Sequence, residues 1–553
     1  MPDFFAAHRA TLEAAIAACC ARGYWSAYPE TPSGRIYGET AKEQGETEFK
    51  ALLGQPFPLD QEGDGPAIGA EVSPYGFPLG ITYPSRTVTA LIGAARRAGA
   101  AWAAAAPETR AGVALEILAR LNRDSFLMAN AVQHTTGQAF VMAFQAGGPH
   151  AQDRGLEAVA YAFDEMTRIP HSARWEKPQG KAPPILLAKE WRIVPRGIGL
   201  VIGCSTFPTW NGYPGLFASL VTGNAVIVKP HPNAILPLAL AVRTARGVLG
   251  EAGFDPDVVQ LAPDTAAAPI AQALATHPAI GIVDFTGSPA FGRWLRTHVH
   301  DAALFTEEAG INPVVIAGSP DFRGMCANLA FSLALYSGQM CTAPQNLFVP
   351  ADGIATDQGV QSFDTVAAGI AAAIDALLAD PARAAGVLGA IASPATLARI
   401  EAARRLGRIV RDSAPLAEAG AARTATPLLL AVEAADEAAY LEEQFGPIAF
   451  LIRCRDADEA LARAAGSARD RGAITAALYA TDEGFIARAA DAFAQAGVPL
   501  SVNLTGGVYV NQSAAFSDYH VSGLNPAGNA CLTDSAFVAN RFRVAAVRRP
   551  IAA

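Results

Sequence analysis

The chain has 553 residues, of which 51% are apolar and 17% charged, and its formal net charge is −9. At about 150 residues per domain, this length predicts three to four domains or lobes, and the composition predicts a large packed core rather than disorder. The acidic balance, without any basic block, argues against binding to nucleic acid or to an anionic membrane surface.

Export and membrane insertion are not expected. The N-terminus lacks the basic start and unbroken apolar stretch of an export signal, and no run approaches the roughly 18–20 apolar residues that a membrane helix needs. Seven cysteines, an odd number, are scattered along the chain without paired spacing. This inventory is typical of a reduced compartment. We therefore expect a cytoplasmic protein.

The N-terminal third predicts helices and one ordered loop. A helix over RATLEAAIAACCARG and a polar stretch precede a segment dense in Pro and Gly from Gln55 to Pro84. Ala-rich helices are predicted near 86–104, 107–130 and 150–166, since Ala, Leu, Arg and Glu dominate there. We expect residues 1–84 to form an N-terminal extension.

Short apolar runs then alternate with helices. The predicted strands are 184–196, 198–203, 225–230, 258–263, 281–287, 313–319, 345–350 and 473–480. Helices are predicted over 236–250, 266–276 and 363–379. This alternation predicts parallel sheets with helices on both faces, arranged as two α/β lobes.

Two glycine-containing turns are candidate sites. In FTGSPAFG, at 285–292, glycines stand where a strand turns into a helix, so free N–H groups and the positive helix end could hold a pyrophosphate. An ordinary strand–helix turn is the alternative. In GQMC, at 338–341, Cys341 follows a helical stretch at a glycine-broken loop that could expose its sulfur. The alternative is that Cys341 only packs in the core.

Four motifs occur in a fixed order along the chain: FTGSPAFG, TEEAGINP, SGQMC and EEQFGPI. Together they resemble the aldehyde dehydrogenase superfamily, from about residue 85 to the C-terminus. The phrases FPTWNGYPGLFASL, VKPHP and FSDYHVSGLNPAGNA further resemble its phenylacetic acid degradation (PaaN) branch.

The resemblance implies two three-layer α/β lobes and a small β oligomerisation element. A cofactor-binding domain is expected over 85–306, interrupted by the β segment at about 168–196, and a catalytic domain over 307–505. The C-terminal segment, 506–553, would carry an oligomerisation strand that pairs with residues 184–196 of a neighbouring subunit. A homodimer or homotetramer is expected.

The resemblance also implies roles for individual residues. Cys341 occupies the nucleophile position and Glu307 the general-base position, while Glu308 stands where the family usually has an apolar residue. Residues expected to bind the cofactor are Lys229 at its ribose, Gly287 and Ser288 at its phosphates, and Glu443 and Phe445 at the nicotinamide end. No metal is expected.

The oxyanion contact is left open between two residues. The family places an Asn immediately before a Phe-Pro pair, but Thr206 precedes Phe207 here, and the nearest Asn is Asn211. Position favours Thr206; the alternative is that Asn211 reaches in from the following helix.

The implied activity is oxidation of an aldehyde to a carboxylic acid with NADP or NAD, through a cysteine thiohemiacetal and an acyl-enzyme. The PaaN resemblance implies a ring-opened, CoA-linked semialdehyde from aromatic-acid breakdown. NADP⁺ is expected to serve at least as well as NAD⁺, since Pro232 stands where NAD-preferring members have a Glu. The Lys229 ammonium remains, and a partly protonated His231 would favour a 2′-phosphate further. The alternative is that another acid substitutes from elsewhere. The alternatives are a cysteine-dependent (thio)ester hydrolase and a non-catalytic assembly partner.

Overall fold

The computed structural model describes residues 2–308, 310–417 and 419–551. In chain order the helices are α1 (Phe4–Ala21), α2 (Gly34–Tyr37), α3 (Ala41–Leu52), α4 (Val88–Ala104), α5 (Pro107–Arg123), α6 (Ser125–Thr136), α7 (Phe140–Gly147), α8 (Pro149–Thr167), α9 (Pro208–Val221), α10 (Leu236–Glu251), α11 (Ala271–Ala275), α12 (Pro289–His298), α13 (Phe322–Ala334), α14 (Phe363–Leu377), α15 (Pro381–Leu388), α16 (Pro394–Ala403), α17 (Glu437–Tyr440), α18 (Ala457–Arg471), α19 (Glu483–Gln495) and α20 (Ser535–Ala539). Short 3₁₀ helices cover Pro256–Val258 and Leu335–Gly338.

The strands are β1 (Ser172–Gln179), β2 (Ala182–Pro195), β3 (Ile198–Ile202), β4 (Ala225–Lys229), β5 (Val259–Leu261), β6 (Ile280–Gly287), β7 (Ala303–Glu308), β8 (Asn312–Ile316), β9 (Gly318–Ser319), β10 (Pro344–Pro350), β11 (Ile354–Thr356), β12 (Gly359–Gln361), β13 (Arg408–Arg411), β14 (Leu428–Glu433), β15 (Ile448–Cys454), β16 (Ala476–Tyr479), β17 (Leu500–Val502) and β18 (Phe542–Pro550).

Two large sheets form the two lobes, as the sequence predicted. The first is parallel, in the order β5-β4-β3-β6-β7. The second has the order β13-β14-β15-β10-β8-β16-β17 and is parallel except for β13. Strands β3, β4 and β8 are buried along their whole length, which explains their continuous apolar runs. The expected lobe boundary after residue 306 falls inside β7, so Glu307 lies on a strand of the first sheet.

Two helix predictions differ from the structure. The helix expected over 107–130 ends at Arg123 and a second begins at Ser125, because Asp124 leaves helical geometry between them. The helix expected over 266–276 shortens to α11. Residues Thr265 and Ala268 form a tight bridge before it, and Pro269 follows them.

The β oligomerisation element exists, but its third strand comes from the same chain. β2 pairs antiparallel with β1 on one side and with β18 on the other, with Phe542 opposite Pro195 and Pro550 opposite Leu187. The expectation that the C-terminal strand pairs with a neighbour's 184–196 segment is therefore wrong. β1 is the outer strand on the other side of β2, and all eight of its residues are exposed.

The N-terminal extension packs into the first lobe. Helix α1 lies against α5 and α8, and its buried Leu12 and Ala15 join the same apolar core as helices α5, α8 and α10. Among the described helices, none alone has the length and apolarity to cross a membrane. The α14–α15 pair, bent by 107°, meets those two criteria together.

Candidate active site

Cys341 lies in a turn between the second 3₁₀ helix and β10. Three successive residues before it have positive φ: Tyr336 (50°), Ser337 (49°) and Gly338 (62°). Such a run is costly for residues with side chains and persists only where the surroundings fix it. Here the Tyr336 hydroxyl donates to the Thr136 carbonyl, and a Cβ at Gly338 would lie 2.4 Å from the Gly446 carbonyl oxygen.

Asn312 on β8 fixes the Cys341 turn from the other side. Its amide nitrogen donates to the carbonyl oxygens of Cys341 and Ala343, both at 2.8 Å. Its amide oxygen accepts from the backbone N–H groups of Ile474 and Thr475. The sequence analysis missed this residue, although it stands inside the TEEAGINP motif.

Glu307 and Glu308 point to opposite faces of β7, as alternation along a strand requires. Glu308 forms an ion pair with Arg296 on α12. A carboxylate oxygen of Glu307, the Cys341 sulfur and a ring nitrogen of His520 all lie within 4.8 Å of one another. This geometry supports Glu307, rather than Glu308, as the partner of Cys341.

Of the two oxyanion candidates, the structure brings Asn211 to the site. Its amide nitrogen donates to Glu307 Oε2 at 2.9 Å. Thr206 lies in the loop before α9, where its carbonyl accepts from Gln138 Nε2 at 2.8 Å. These contacts favour Asn211, and the assignment of Thr206 stays a prediction. α9 begins at Pro208, so its first turn carries Asn211 inward.

His520 is a second residue that the sequence analysis missed. Its Nε2 lies 3.2 Å from Glu307 Oε1, and both side chains are 2% exposed. Trp210 packs edge-on against the imidazole, with ring centroids 4.6 Å apart. The only signal was its place in FSDYHVSG, which had been used for the resemblance alone. Cys, His and Glu are also metal-ligand types, so the three side chains together could hold a cation.

The surroundings disfavour a free thiolate. Burial, and after it the nearby Glu307 carboxylate, hold the pKa of the Cys341 thiol well above its usual value. Cys204 is a second thiol in this region, with its sulfur 3.7 Å from Asn211 Oδ1, and burial raises its pKa to about 11. Cys341 therefore requires a proton acceptor, and Glu307 is placed to serve as one.

The expected cofactor residues lie at the carboxyl edge of the first sheet. Lys229 ends β4 and Gly287 ends β6, with β3 between these strands. Ser288 caps α12, its hydroxyl accepting from Phe291 N–H, so this helix N-terminus faces the same edge. In open α/β sheets, nucleotides bind outside the carboxyl ends of the strands, with phosphates at helix N-termini.

Lys229 has a partner that the sequence did not predict. Its Nζ lies 2.7 Å from Asp264 Oδ1, and Asp264 is 1% exposed. The neighbouring imidazole is uncharged near neutral pH, because burial and then Lys229 lower the pKa of His231 to about 4. Both positive charges expected to favour a 2′-phosphate are thus cancelled or absent. Asp264 thus matches the alternative that the sequence left open, in which another acid substitutes for the missing Glu at position 232.

Glu443 and Phe445 lie in the loop between α17 and β15. The loop is fixed by Gln345, whose Oε1 accepts from Gln444 N–H, and by Arg399, which donates to the Phe445 carbonyl at 2.6 Å. Burial raises the pKa of Glu443 to about 7, although Arg399 opposes the shift. A half-buried carboxylate close enough to act on the pKa of Cys341 suits ribose hydroxyl donors. Together with the α12 terminus and Lys229, the residues present fit a nicotinamide dinucleotide.

A cavity of about 520 Å³ opens onto Cys341. Its lining includes the aromatic and apolar side chains of Phe207, Trp210, Phe331 and Met340. Asn211 and His520 also reach it. A volume of this order is typical of small-molecule sites.

Known proteins resemble both the chain and its fold. The model of the aldehyde dehydrogenase family matches residues 82–531. The crystal structure of an NAD-dependent aldehyde dehydrogenase from Burkholderia multivorans is 55% identical, with a TM-score of 0.98 and 100% of both chains covered. N-succinylglutamate 5-semialdehyde dehydrogenase from Burkholderia multivorans is 30% identical over 413 residues, 73% of this chain and 78% of that protein. A 1-pyrroline-5-carboxylate dehydrogenase from Thermus, solved with bound NAD, shares the fold at 19% identity and a TM-score of 0.74, over 96% of this chain and 99% of that one.

Proposed function

Because this chain belongs to the aldehyde dehydrogenase family, we propose that it oxidises an aldehyde to a carboxylic acid with NAD⁺, using Cys341 as the nucleophile. One observation carries the proposal: a buried Glu307 contacts both Asn211 and His520, which line the cavity, and lies within 4.8 Å of the Cys341 sulfur. Family membership supports the enzyme class that the sequence predicted.

The first half of the reaction forms a covalent intermediate. The Cys341 sulfur attacks the carbonyl carbon while Glu307 accepts the thiol proton, giving a thiohemiacetal. The Asn211 amide then turns its donor from Glu307 to the new oxyanion, since an amide N–H stabilises that charge in a water-poor site. Bound NAD⁺ supplies the hydride acceptor that converts the thiohemiacetal into a thioester on Cys341.

The second half is hydrolysis. Glu307 first releases the thiol proton to solvent, which is the proton that the overall oxidation produces. It then removes a proton from water, the hydroxide attacks the thioester, and the acid leaves as Cys341 takes that proton from Glu307. His520, in contact with Glu307 Oε1, holds that carboxylate toward Cys341.

The substrate has two candidate classes. The PaaN-like phrases support a ring-opened semialdehyde linked to CoA, whose carbon chain next to the aldehyde is uncharged. The relative from Burkholderia multivorans is named for N-succinylglutamate 5-semialdehyde, whose chain carries carboxylates. We propose the first class, with aromatic-acid breakdown as its setting.

The test is absorbance at 340 nm with NAD⁺ and a panel of aldehydes. We expect reduced cofactor to form, and we expect Cys341→Ala to abolish its formation while cofactor binding persists. Ester hydrolysis without any aldehyde oxidation would favour the cysteine hydrolase alternative. Cofactor binding with neither aldehyde oxidation nor ester hydrolysis would favour the alternative of a non-catalytic assembly partner.

A further inference from the structure

Residues 24–30 form one wall of the cavity that ends at Cys341. Tyr24, Trp25, Ser26 and Glu30 all line it. The match to the family model begins only at residue 82. This wall is therefore built by a part of the chain that lies outside the family match.

The wall is firmly attached to the first lobe. Asp153 on α8 accepts hydrogen bonds from Ser26 Oγ at 2.6 Å and from Ala27 N–H at 3.1 Å. Trp25 packs edge-on against Phe516, with ring centroids 4.8 Å apart. These contacts hold the segment in place as part of the cavity wall.

The outer end of the wall carries a paired charge. His150 Nε2 lies 2.7 Å from Glu30 Oε2, and this hydrogen bond lowers the pKa of the Glu30 carboxyl. Glu30 is half-exposed and ionised, so a substrate that enters beside it meets a negative charge.

No lysine or arginine lines this cavity in the part of the chain that the structure describes. Its acidic lining residues are Glu30 and Asp153, and its histidines contact Glu30 and Glu307. The guanidinium behind Trp210 belongs to Arg154, which is fully buried and donates to Glu157 at 2.7 Å. Its charge is therefore already compensated.

A carboxylate on the substrate would enter this cavity without a cation to receive it. Burying an unpaired charge is costly, and repulsion by Glu30 adds to that cost. An uncharged aliphatic or aromatic chain instead covers the rings of Trp25, Trp210 and Phe331, which favours its transfer from water.

We propose that residues 24–30, with Glu30 at the entrance, make this cavity select aldehydes whose chain is uncharged and exclude those with a carboxylate on that chain. The proposal rests on the aldehyde oxidation proposed above and defines its substrate class.

The first test compares two aldehydes of equal length, hexanal and 6-oxohexanoate, with the wild-type enzyme and NAD⁺. We expect kcat/KM for hexanal to be higher by at least about tenfold, the ratio that corresponds to 1.36 kcal/mol. Equal or faster oxidation of 6-oxohexanoate overturns the selection while leaving aldehyde oxidation intact. If neither these aldehydes nor any other in a broad panel is oxidised, the proposed function itself fails.

The second test reverses the charge at the entrance. Glu30→Lys should shift the kcat/KM ratio toward 6-oxohexanoate by about tenfold, and Glu30→Gln should shift it less in the same direction. Glu39→Lys is the matched control, because it makes the same charge change at an exposed position of the N-terminal segment outside the cavity lining.

If the kcat/KM ratio of hexanal to 6-oxohexanoate is the same in Glu30→Lys and Glu39→Lys, Glu30 does not select against the carboxylate. If Glu30→Lys does not fold, Glu30→Gln decides the question, since it keeps the shape of the side chain. An unchanged ratio in Glu30→Gln then contradicts the proposal.

Discussion

The side-chain amide of Asn211 donates a 2.9 Å hydrogen bond to the carboxylate of Glu307. A single residue in the first turn of α9 thus contacts the proposed base and lines the cavity above the proposed nucleophile. This contact links the two halves of the reaction, because the amide must leave Glu307 when an oxyanion forms.

Replacing Asn211 tests that link. We expect Asn211→Ala to lower kcat/KM for the aldehyde by about 10²–10³, the usual cost of losing one oxyanion donor. Thr206→Val is the control and should change kcat/KM little, since Thr206 accepts its hydrogen bond from Gln138 through the backbone carbonyl, which the substitution keeps. The reverse pattern would restore Thr206 as the oxyanion residue.

Glu307→Gln should separate the two halves in time. The amide accepts no proton, so both halves lose their base. Removing the Glu307 charge also removes one cause of the raised pKa of the Cys341 thiol, which can then lose its proton to solvent. Hydrolysis has no such compensation, so we expect it to slow more, by about 10²–10⁴. Reduced cofactor should then appear as a burst of one equivalent per active site, seen by stopped-flow absorbance. Glu308→Gln is the comparison, because Glu308 faces Arg296 on the other side of β7. A burst in Glu308→Gln and none in Glu307→Gln would identify Glu308 as the base.

The affinity for NAD⁺ should depend on pH through Glu443. Its carboxylate form accepts ribose hydroxyl groups, and burial raises its pKa to about 7. As pH falls through about 7 the group takes up a proton and loses this acceptor capacity, so kcat/KM for NAD⁺ should decrease toward acid. In Glu443→Gln, kcat/KM for NAD⁺ should stay low across the pH range and show no such inflection. An unchanged inflection in the variant would assign it to another group.

The choice between NAD⁺ and NADP⁺ should depend on Asp264. Because its carboxylate pairs with Lys229 at 2.7 Å, we expect the wild-type enzyme to prefer NAD⁺. Asp264→Asn removes the partner of Lys229, so its ammonium can contact the 2′-phosphate. The ratio of kcat/KM for NADP⁺ to kcat/KM for NAD⁺ should then rise, by about tenfold for each 1.36 kcal/mol that this contact contributes. A wild-type preference for NADP⁺ would support the sequence-based expectation instead.

Local patterns predicted much of this structure. Continuous apolar runs such as AVIVK and NPVVI gave the buried strands β4 and β8, because parallel strands are covered on both faces. The order of the four motifs predicted Cys341 as the nucleophile and Glu307 as the base. Partners distant in sequence could not be predicted in this way. Asp264, Asn312 and His520 reach their positions only through the packing of separate elements, and β18 pairs within its own chain by a contact that spans most of the sequence.

The central claim is that Cys341 carries the acyl group. The most direct measurement is mass spectrometry of Glu307→Gln after brief mixing with hexanal and NAD⁺, followed by peptide mapping. We expect one hexanoyl adduct on the peptide that contains Cys341 and none on the peptide that contains Cys204, whose sulfur lies 3.7 Å from Asn211 Oδ1. Reduced cofactor formed without any adduct on Cys341, or with the adduct on Cys204, would contradict it.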